Sequence, residues 1–306
     1  MRILVVGAGA TGGFFGARLV RAGRDVTFLV RPRRAALLRE RGLRITGLGE
    51  NEILRPELVT AAELAEPYDV VLVSVKAAAL ERAVEDVAPA VGPRTVIVPF
   101  LNGMAHLDTL NARFGKESVL GGVVKVMTTI NADGDILRVG PLAGFVLGEQ
   151  GGGVSPRVAE LGKELDVDGY EFTVSADIIG EMWRKWAFIA SLGAITCLMR
   201  GSVGDVAAVP GGAEFARAVI AEAAAVASAA GHPVPDAELE ASTAICTRAG
   251  SPITSSMYRD VAAGNPAEVE HVFGDLVARA RAMSVDTPLL DLATLHLRVH
   301  QHRVTS

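Results

Sequence analysis

The chain has 306 residues, half of them hydrophobic, and a formal net charge of −5 at pH 7; this is room for two ordinary domains and too mild a charge for a nucleic-acid footprint. No apolar run reaches the roughly 20 residues of a membrane span, and no signal-peptide pattern opens the sequence. The two cysteines, Cys197 and Cys246, fall in apolar helical patterns, so no disulfide framework is expected and a reducing cytoplasm fits.

Arg2–Val6 (RILVV) reads as a buried strand that runs directly into Gly7-Ala8-Gly9-Ala10-Thr11-Gly12, and a helical pattern follows over residues 11–22. A strand, a G-x-G-x-x-G turn and a helix N-terminus in that order form the dinucleotide-binding context. Gly7 permits the tight turn, Gly9 lets backbone approach a pyrophosphate, and Gly12 allows helix to pack closely on strand. The free N–H groups of the helix start then hold the phosphates. A second strand over 25–30 ends in Arg31, about 20 residues past the turn, where NAD-binding domains carry an acid for the ribose 2′-OH. Arg31 in that place, with Arg33 and Arg34 after it, matches a 2′-phosphate by its bidentate fork and favours NADP. A solvated basic helix start is the alternative, though arginine there opposes the helix dipole.

Pro32–Arg41 is a helix with proline in its first turn, and a more irregular stretch follows. DVVLVSV (69–75) is a fully buried parallel strand. Lys76 stands at its carboxyl edge, where open sheets bind ligands; it either touches the cofactor or is an exposed strand-end lysine. A helix over 77–87 and a strand over 94–100 continue the alternation, which argues for a doubly wound parallel sheet. SVLGGVVKVMTTI gives another strand, and Asn131-Ala132-Asp133-Gly134 signals a hairpin that places antiparallel strands at the end of that sheet. A helix over 155–165 and a strand over 170–174 complete a domain of residues 1–174.

Residues 175–306 read as all helix, over 176–199, 212–230, 236–248, 267–283 and 287–300, with turn signals such as Gly231-His232-Pro233 between them. A ligand site in the cleft between a nucleotide domain and a helical domain is expected. Only five lysines occur in this arginine-rich chain, and one of them, Lys185, lies in the apolar helical run EMWRKWAFI. Partial burial there lowers a lysine pKa and equips it to donate a proton near neutral pH; a snorkelling ammonium is the plainer reading. Ser255-Ser256-Met257-Tyr258 is a loop entering a helix, fit either to receive a carboxylate or simply to cap the helix. Glu268, in PAEVEH, is expected in the first turn of a helix, a favourable dipole position.

In order and spacing, GAGATGG, the strand-ending Arg31, SVK at Lys76, FLNGM at Asn102, WRK at Lys185 and SSMYRD…E at Ser256 and Glu268 resemble the ketopantoate reductase (2-dehydropantoate 2-reductase) family over nearly the whole chain. The resemblance implies a Rossmann-like domain followed by a helical one. It also implies NADPH-dependent reduction of a 2-keto acid to a 2-hydroxy acid, ketopantoate to pantoate, in pantothenate biosynthesis. By that resemblance Lys185 is the general acid, Asn102 stands near the nicotinamide and orients substrate and lysine, Ser256 holds the substrate carboxylate, and Glu268 binds the substrate hydroxyl or fixes the lysine. Hydride arrival builds charge on the ketone oxygen, so a proton-donating cation suits that place.

The chain departs from the family pattern at Ile189, Gly193, Val203 and Ile253, where the family usually carries asparagines. A site that trades amides for apolar surface prefers a less hydroxylated substrate. The true substrate therefore stays open between ketopantoate and another 2-keto or imino acid, with a non-catalytic NADPH sensor as a third reading that Lys185 and Glu268 speak against. The expected partner is a small 2-keto acid, with neither nucleic acid nor membrane; a homodimer is admissible. His296, His300 and His302 share the last helix, but no acid or cysteine cluster joins them and no metal is expected. His271, one turn from Glu268, either lines the cleft or, on the plainer reading, is helix surface; Trp183 and Trp186 read as core.

Overall fold

The computed structural model describes residues 1–306. By the packing of its backbone the chain divides into two compact units, residues 1–101 with 106–179, and residues 102–105 with 180–306. The sequence-based partition at 174/175 did not include two features of this division. The four residues Asn102–Ala105 group with the second unit, and the start of the long helix over Ile178–Met199 groups with the first.

The first unit is built on two five-stranded sheets. The parallel sheet contains β1 (Arg2–Val6), β2 (Asp25–Leu29), β5 (Glu57–Val59), β6 (Val70–Val73) and β7 (Val96–Pro99) in the order β5-β2-β1-β6-β7. Its strands are short apolar runs buried on both faces, as strands of an all-parallel sheet covered on both sides must be. The second sheet holds β3 (Leu43–Gly47), β4 (Glu50–Leu54), β8 (Gly121–Ile130), β9 (Ile136–Gly148) and β10 (Glu171–Val174). The stretch expected to be irregular thus contributes the β3–β4 hairpin: LRITG alternates apolar and polar over only four residues, and its partner ENEIL is mostly charged or polar. The Asn131–Gly134 turn does close an antiparallel hairpin of β8 on β9. Its strands do not extend the parallel sheet, however: a single bridge, Ile97 to Val119, ties that segment to β7 before the chain leaves for the second sheet.

Helices α1 (Ala10–Arg21), α2 (Pro32–Arg41), α3 (Leu80–Val87), α4 (Ala105–Phe114) and α5 (Pro156–Leu165) join these strands. α1 packs against both sheets and is thinned to fit. A Cβ on Gly16 would meet the Phe28 ring of β2 at 2.4 Å, and one on Gly13 would meet Ile136 of β9 at 2.5 Å. Edge-to-face contacts among Phe14, Phe15, Phe100, Phe145 and Tyr170 fill the core beside it. The Arg18 side chain, 3 % exposed, is held between Glu50 and Glu52 of β4 at 2.5 and 3.0 Å, and Arg138 also pairs with Glu50.

The second unit is helical: α6 (Ile178–Met199), α7 (Val203–Ala207), α8 (Gly212–Ala229), α9 (Asp236–Cys246), α10 (Ser256–Ala262), α11 (Asp275–Ala282) and α12 (Pro288–Thr305). The helix expected over 267–283 is in two parts, a π-helical turn at Glu270–Gly274 running into α11. No helix is long and apolar enough to cross a membrane. Cys197 and Cys246 are buried and unbridged.

Candidate functional site

In the first unit the strand order reverses between β1 and β6, since the chain builds outward from β1 to β2 and β5 and then returns to its other side. Ligands of open sheets bind at the carboxyl ends of strands beside such a switch point. Gly7 and Ser74 follow those two ends directly, with Ser74 N–H donating to Val6 at 3.0 Å. Gly7 has φ +98°, and a Cβ there would lie 2.9 Å from the Ser74 carbonyl oxygen. At Gly12 a Cβ would fall 2.4 Å from the Gly7 carbonyl oxygen and 2.7 Å from the Ser74 side chain. Gly7 is therefore required by the backbone conformation of the turn as well as by the nearby carbonyl, and Gly12 by close packing.

Gly9 differs, because nothing lies within 4 Å of where its Cβ would be. It precedes α1, whose start has neither a side-chain cap nor an acidic residue in the first turn. Open space beside uncapped N–H groups fits a pyrophosphate in chemistry. Ala8 is buried, and Ala10 and Thr11 open the helix, with the Ala10 carbonyl accepting from Thr128 Oγ1 at 3.1 Å. Arg31 and Arg33 are exposed at the start of α2, just past the end of β2. Arg34 is engaged differently, donating to the carbonyls of Ala8 and Gly134. Lys76 is exposed two residues beyond Ser74, at the same strand end.

In the second unit α6 is the common spine. It carries Lys185, half-buried, next to Trp186, which is 1 % exposed and donates from Nε1 to the Val272 carbonyl at 2.8 Å. Two turns past Lys185, a Cβ on Gly193 would approach the fully buried Phe273 ring to 3.1 Å. At its far end Thr196 Oγ1 meets Ser255 Oγ at 2.9 Å. The π-helical turn is thus fastened to α6 at two points, and the start of α10 at a third.

Ser255 is the helix cap, accepting from Tyr258 N–H at 2.9 Å, so the neighbouring Ser256 hydroxyl is exposed and not spent on capping. The contact at Thr196 ties the serine pair to α6 about 16 Å along the helix axis from Lys185, at 1.5 Å per residue. Glu268 is half-buried and stands just before the helical stretch rather than in its first turn, its carbonyl accepting from Val272 N–H at 3.1 Å.

His271 is not helix surface. Burial pushes its pKa below the ordinary histidine value, against the pull of the Glu268 and Asp275 carboxylates and a hydrogen bond to the Asn102 backbone. Gly103, with φ +74°, lies so close that a Cβ would be 2.6 Å from the His271 carbonyl oxygen. The structure therefore brings Asn102, His271 and Glu268 together. The sequence leaves His271 two places, cleft lining and the favoured helix surface, and the structure removes the second; Phe273 goes unread because an apolar helical pattern hides which residues a π turn redirects, and such turns often mark functional sites. Of the four positions that depart from the family's asparagines, Val203 and Gly193 are buried, Ile189 and Ile253 half-buried, and Val203 N–H donates to the Ile253 carbonyl at 2.9 Å.

The family model for ketopantoate reductase PanE/ApbA matches residues 3–152, and its C-terminal counterpart matches residues 177–301. The uncharacterized oxidoreductase YkpB of Bacillus subtilis is 36 % identical over 301 residues, covering 98 % of this chain and 99 % of its own. A 2-dehydropantoate 2-reductase of Mesorhizobium japonicum is 28 % identical, with 95 % of each chain covered. The crystal structure of 2-dehydropantoate 2-reductase from Methylococcus capsulatus superposes with a TM-score of 0.84 at 30 % identity, covering 100 % of this chain and 98 % of that one.

Proposed function

The chain belongs to the ketopantoate reductase PanE/ApbA family of oxidoreductases, and on that premise we propose that it reduces a 2-keto acid to the 2-hydroxy acid with NADPH, ketopantoate to pantoate being the first candidate reaction. The observation that carries the reading is the glycine turn at the switch point, with open space at Gly9 beside an uncapped helix start. Gly7, Ala8, Gly9, Ala10, Thr11 and Gly12 would line the pyrophosphate, Arg31 would face the 2′-phosphate, and Lys76 would lie at the adjoining strand end. When bound, the reduced nicotinamide supplies the two electrons and the hydrogen that the carbonyl carbon receives.

The residues of the second unit then act on the substrate. The Lys185 ammonium hydrogen-bonds the ketone oxygen and passes it a proton as charge develops there. Asn102, backed by His271, orients the substrate at the nicotinamide end. The Ser256 hydroxyl, left over from capping, would receive the carboxylate, which requires the start of α10 to come closer to Lys185 than its tie at Thr196 holds it here, and Glu268 would hold the substrate hydroxyl or the lysine. A second reading, a less polar 2-keto or imino acid as substrate, is favoured by Ile189, Gly193, Val203 and Ile253 standing where the family resemblance implies amides, with the buried Phe273 ring packed on Gly193.

Loss of NADPH absorbance with ketopantoate and a panel of 2-keto acids tests both readings. Lys185→Ala should cost about a hundredfold or more in kcat, the usual scale for a lost general acid, whereas Ser256→Ala should mainly raise KM. Turnover of the Lys185 variant within a few-fold of the parent would remove the general-acid role. NADPH binding without oxidation by any 2-keto acid would favour a sensor.

A further inference from the structure

Arg34 is the one arginine after β2 whose guanidinium is committed on all sides. Nε and Nη2 donate to the Ala8 carbonyl at 3.2 and 2.9 Å, and Nη1 donates to the Gly134 carbonyl at 2.8 Å. It is half-buried, with Asp135 as its carboxylate neighbour. Ala8 belongs to the glycine turn, while Gly134 closes the β8–β9 hairpin, whose turn is fixed by Gly134 N–H to Asn131 O and Asp135 N–H to Asn131 Oδ1.

The Ala8–Gly9 peptide is trans, so its C=O and N–H point in opposite directions. A two-pronged, charge-assisted grip on the Ala8 oxygen fixes that plane. The Gly9 N–H is thereby aimed away from Arg34, and the space beside Gly9 is open. Without the grip the peptide can rotate and present a carbonyl, which repels an anion, where an N–H is needed.

We propose that Arg34 is a positioning residue for the dinucleotide pyrophosphate, acting through the Ala8–Gly9 peptide and anchored by the β8–β9 turn, and that it does not bind the 2′-phosphate. This rests on the dinucleotide reading above, and it gives the three arginines different roles. Arg31 and Arg33, exposed, distinguish NADPH from NADH, whereas Arg34 sets the affinity for both.

The test is the affinity for NADPH and NADH, by titration, of the full chain and of Arg34→Met, Arg34→Lys and Gly134→Ala, with melting temperatures measured free of nucleotide. Arg34→Met should weaken both nucleotides about ten- to a hundredfold, the scale of lost hydrogen bonds to a charged group, with their ratio unchanged and the nucleotide-free melting temperature near that of the parent. Arg34→Lys, which keeps one donor for the Ala8 oxygen, should recover part of the loss. Gly134→Ala would strain the turn at φ +83° and place a Cβ 2.9 Å from Leu37 Cδ2 and 3.0 Å from Arg34 Nη1, so it should lower the nucleotide-free melting temperature and weaken both nucleotides equally, although it lies outside the glycine turn. Parental affinity for both nucleotides in Arg34→Met overturns the proposal, as does a loss confined to NADPH. If Arg34→Met does not fold, the other two variants decide on the same ratio. A parent chain that binds neither nucleotide removes the dinucleotide reading itself, an outcome distinct from any of these.

Discussion

Gly12→Ala and Gly9→Ala, three residues apart in one turn, should behave oppositely. At Gly12 the added methyl would lie 2.4 Å from the Gly7 carbonyl oxygen and 2.7 Å from the Ser74 side chain. Ordinary contact lies beyond about 3.4 Å, so α1 would have to move by roughly 1 Å, a strain that well-packed interiors resist. It has nowhere to go, since Gly13 and Gly16 already sit against Ile136 and Phe28. Overpacking of this kind costs about 1–3 kcal/mol, or roughly 2–12 °C in Tm for a unit of this size. Gly9→Ala meets nothing within 4 Å and has φ −85°, which alanine adopts freely. It should fold with unchanged or slightly raised Tm, while its methyl occupies the space assigned to the pyrophosphate and abolishes tight nucleotide binding. Scanning calorimetry without nucleotide and titration with NADPH separate the two effects. A Gly12→Ala protein as stable as the parent, or a Gly9→Ala protein of undiminished affinity, would refute the reasoning.

Arg31→Asp should shift preference from NADPH toward NADH by about ten- to a hundredfold, the scale of a charge-assisted contact; an unchanged ratio of the two Kd values counts against the 2′-phosphate role. At Glu50 burial raises the carboxyl pKa, but the hydrogen bonds from Arg18 and Arg138 outweigh it and hold the folded value below the ordinary one. A depressed carboxyl contributes stability that is present above its unfolded pKa and lost as pH falls through the folded value. Glu50→Gln should therefore show its greatest urea-midpoint deficit near about pH 6, narrowing toward about pH 3; a deficit independent of pH would refute this. Burial pushes the Cys197 and Cys246 thiols up to about 11, so neither should react with a thiol reagent at about pH 8 until the chain is denatured. Rapid labelling of the native protein would show that one is reachable.

The order of elements in the first unit was legible because buried parallel strands are short apolar runs and glycine turns punctuate them. RILVV, DVVLV and the helix behind GAGATGG appear close to where the pattern put them. The β3–β4 hairpin was not legible, since its charged residues face partners such as Arg18 and Arg138 that lie far off in sequence. Nor was the separate second sheet: a hairpin signal says that two strands pair, not which sheet they join.

Chemistry shows the same division. Gly7, Gly9 and Gly12 were readable in the sequence because turn geometry is a local requirement, and the roles proposed for Arg31, Lys185 and Glu268 start from residue type and from order along the chain. The π turn that sets His271 against Asn102 and Phe273 against Gly193, the assignment of capping to Ser255 rather than Ser256, and the diversion of Arg34 from phosphate to carbonyl depend on contacts between segments distant along the chain. A sequence states which groups are present and what their neighbours in the chain can do. Only close packing of remote segments decides which of several chemically equal groups is spent on structure and which remains for a ligand.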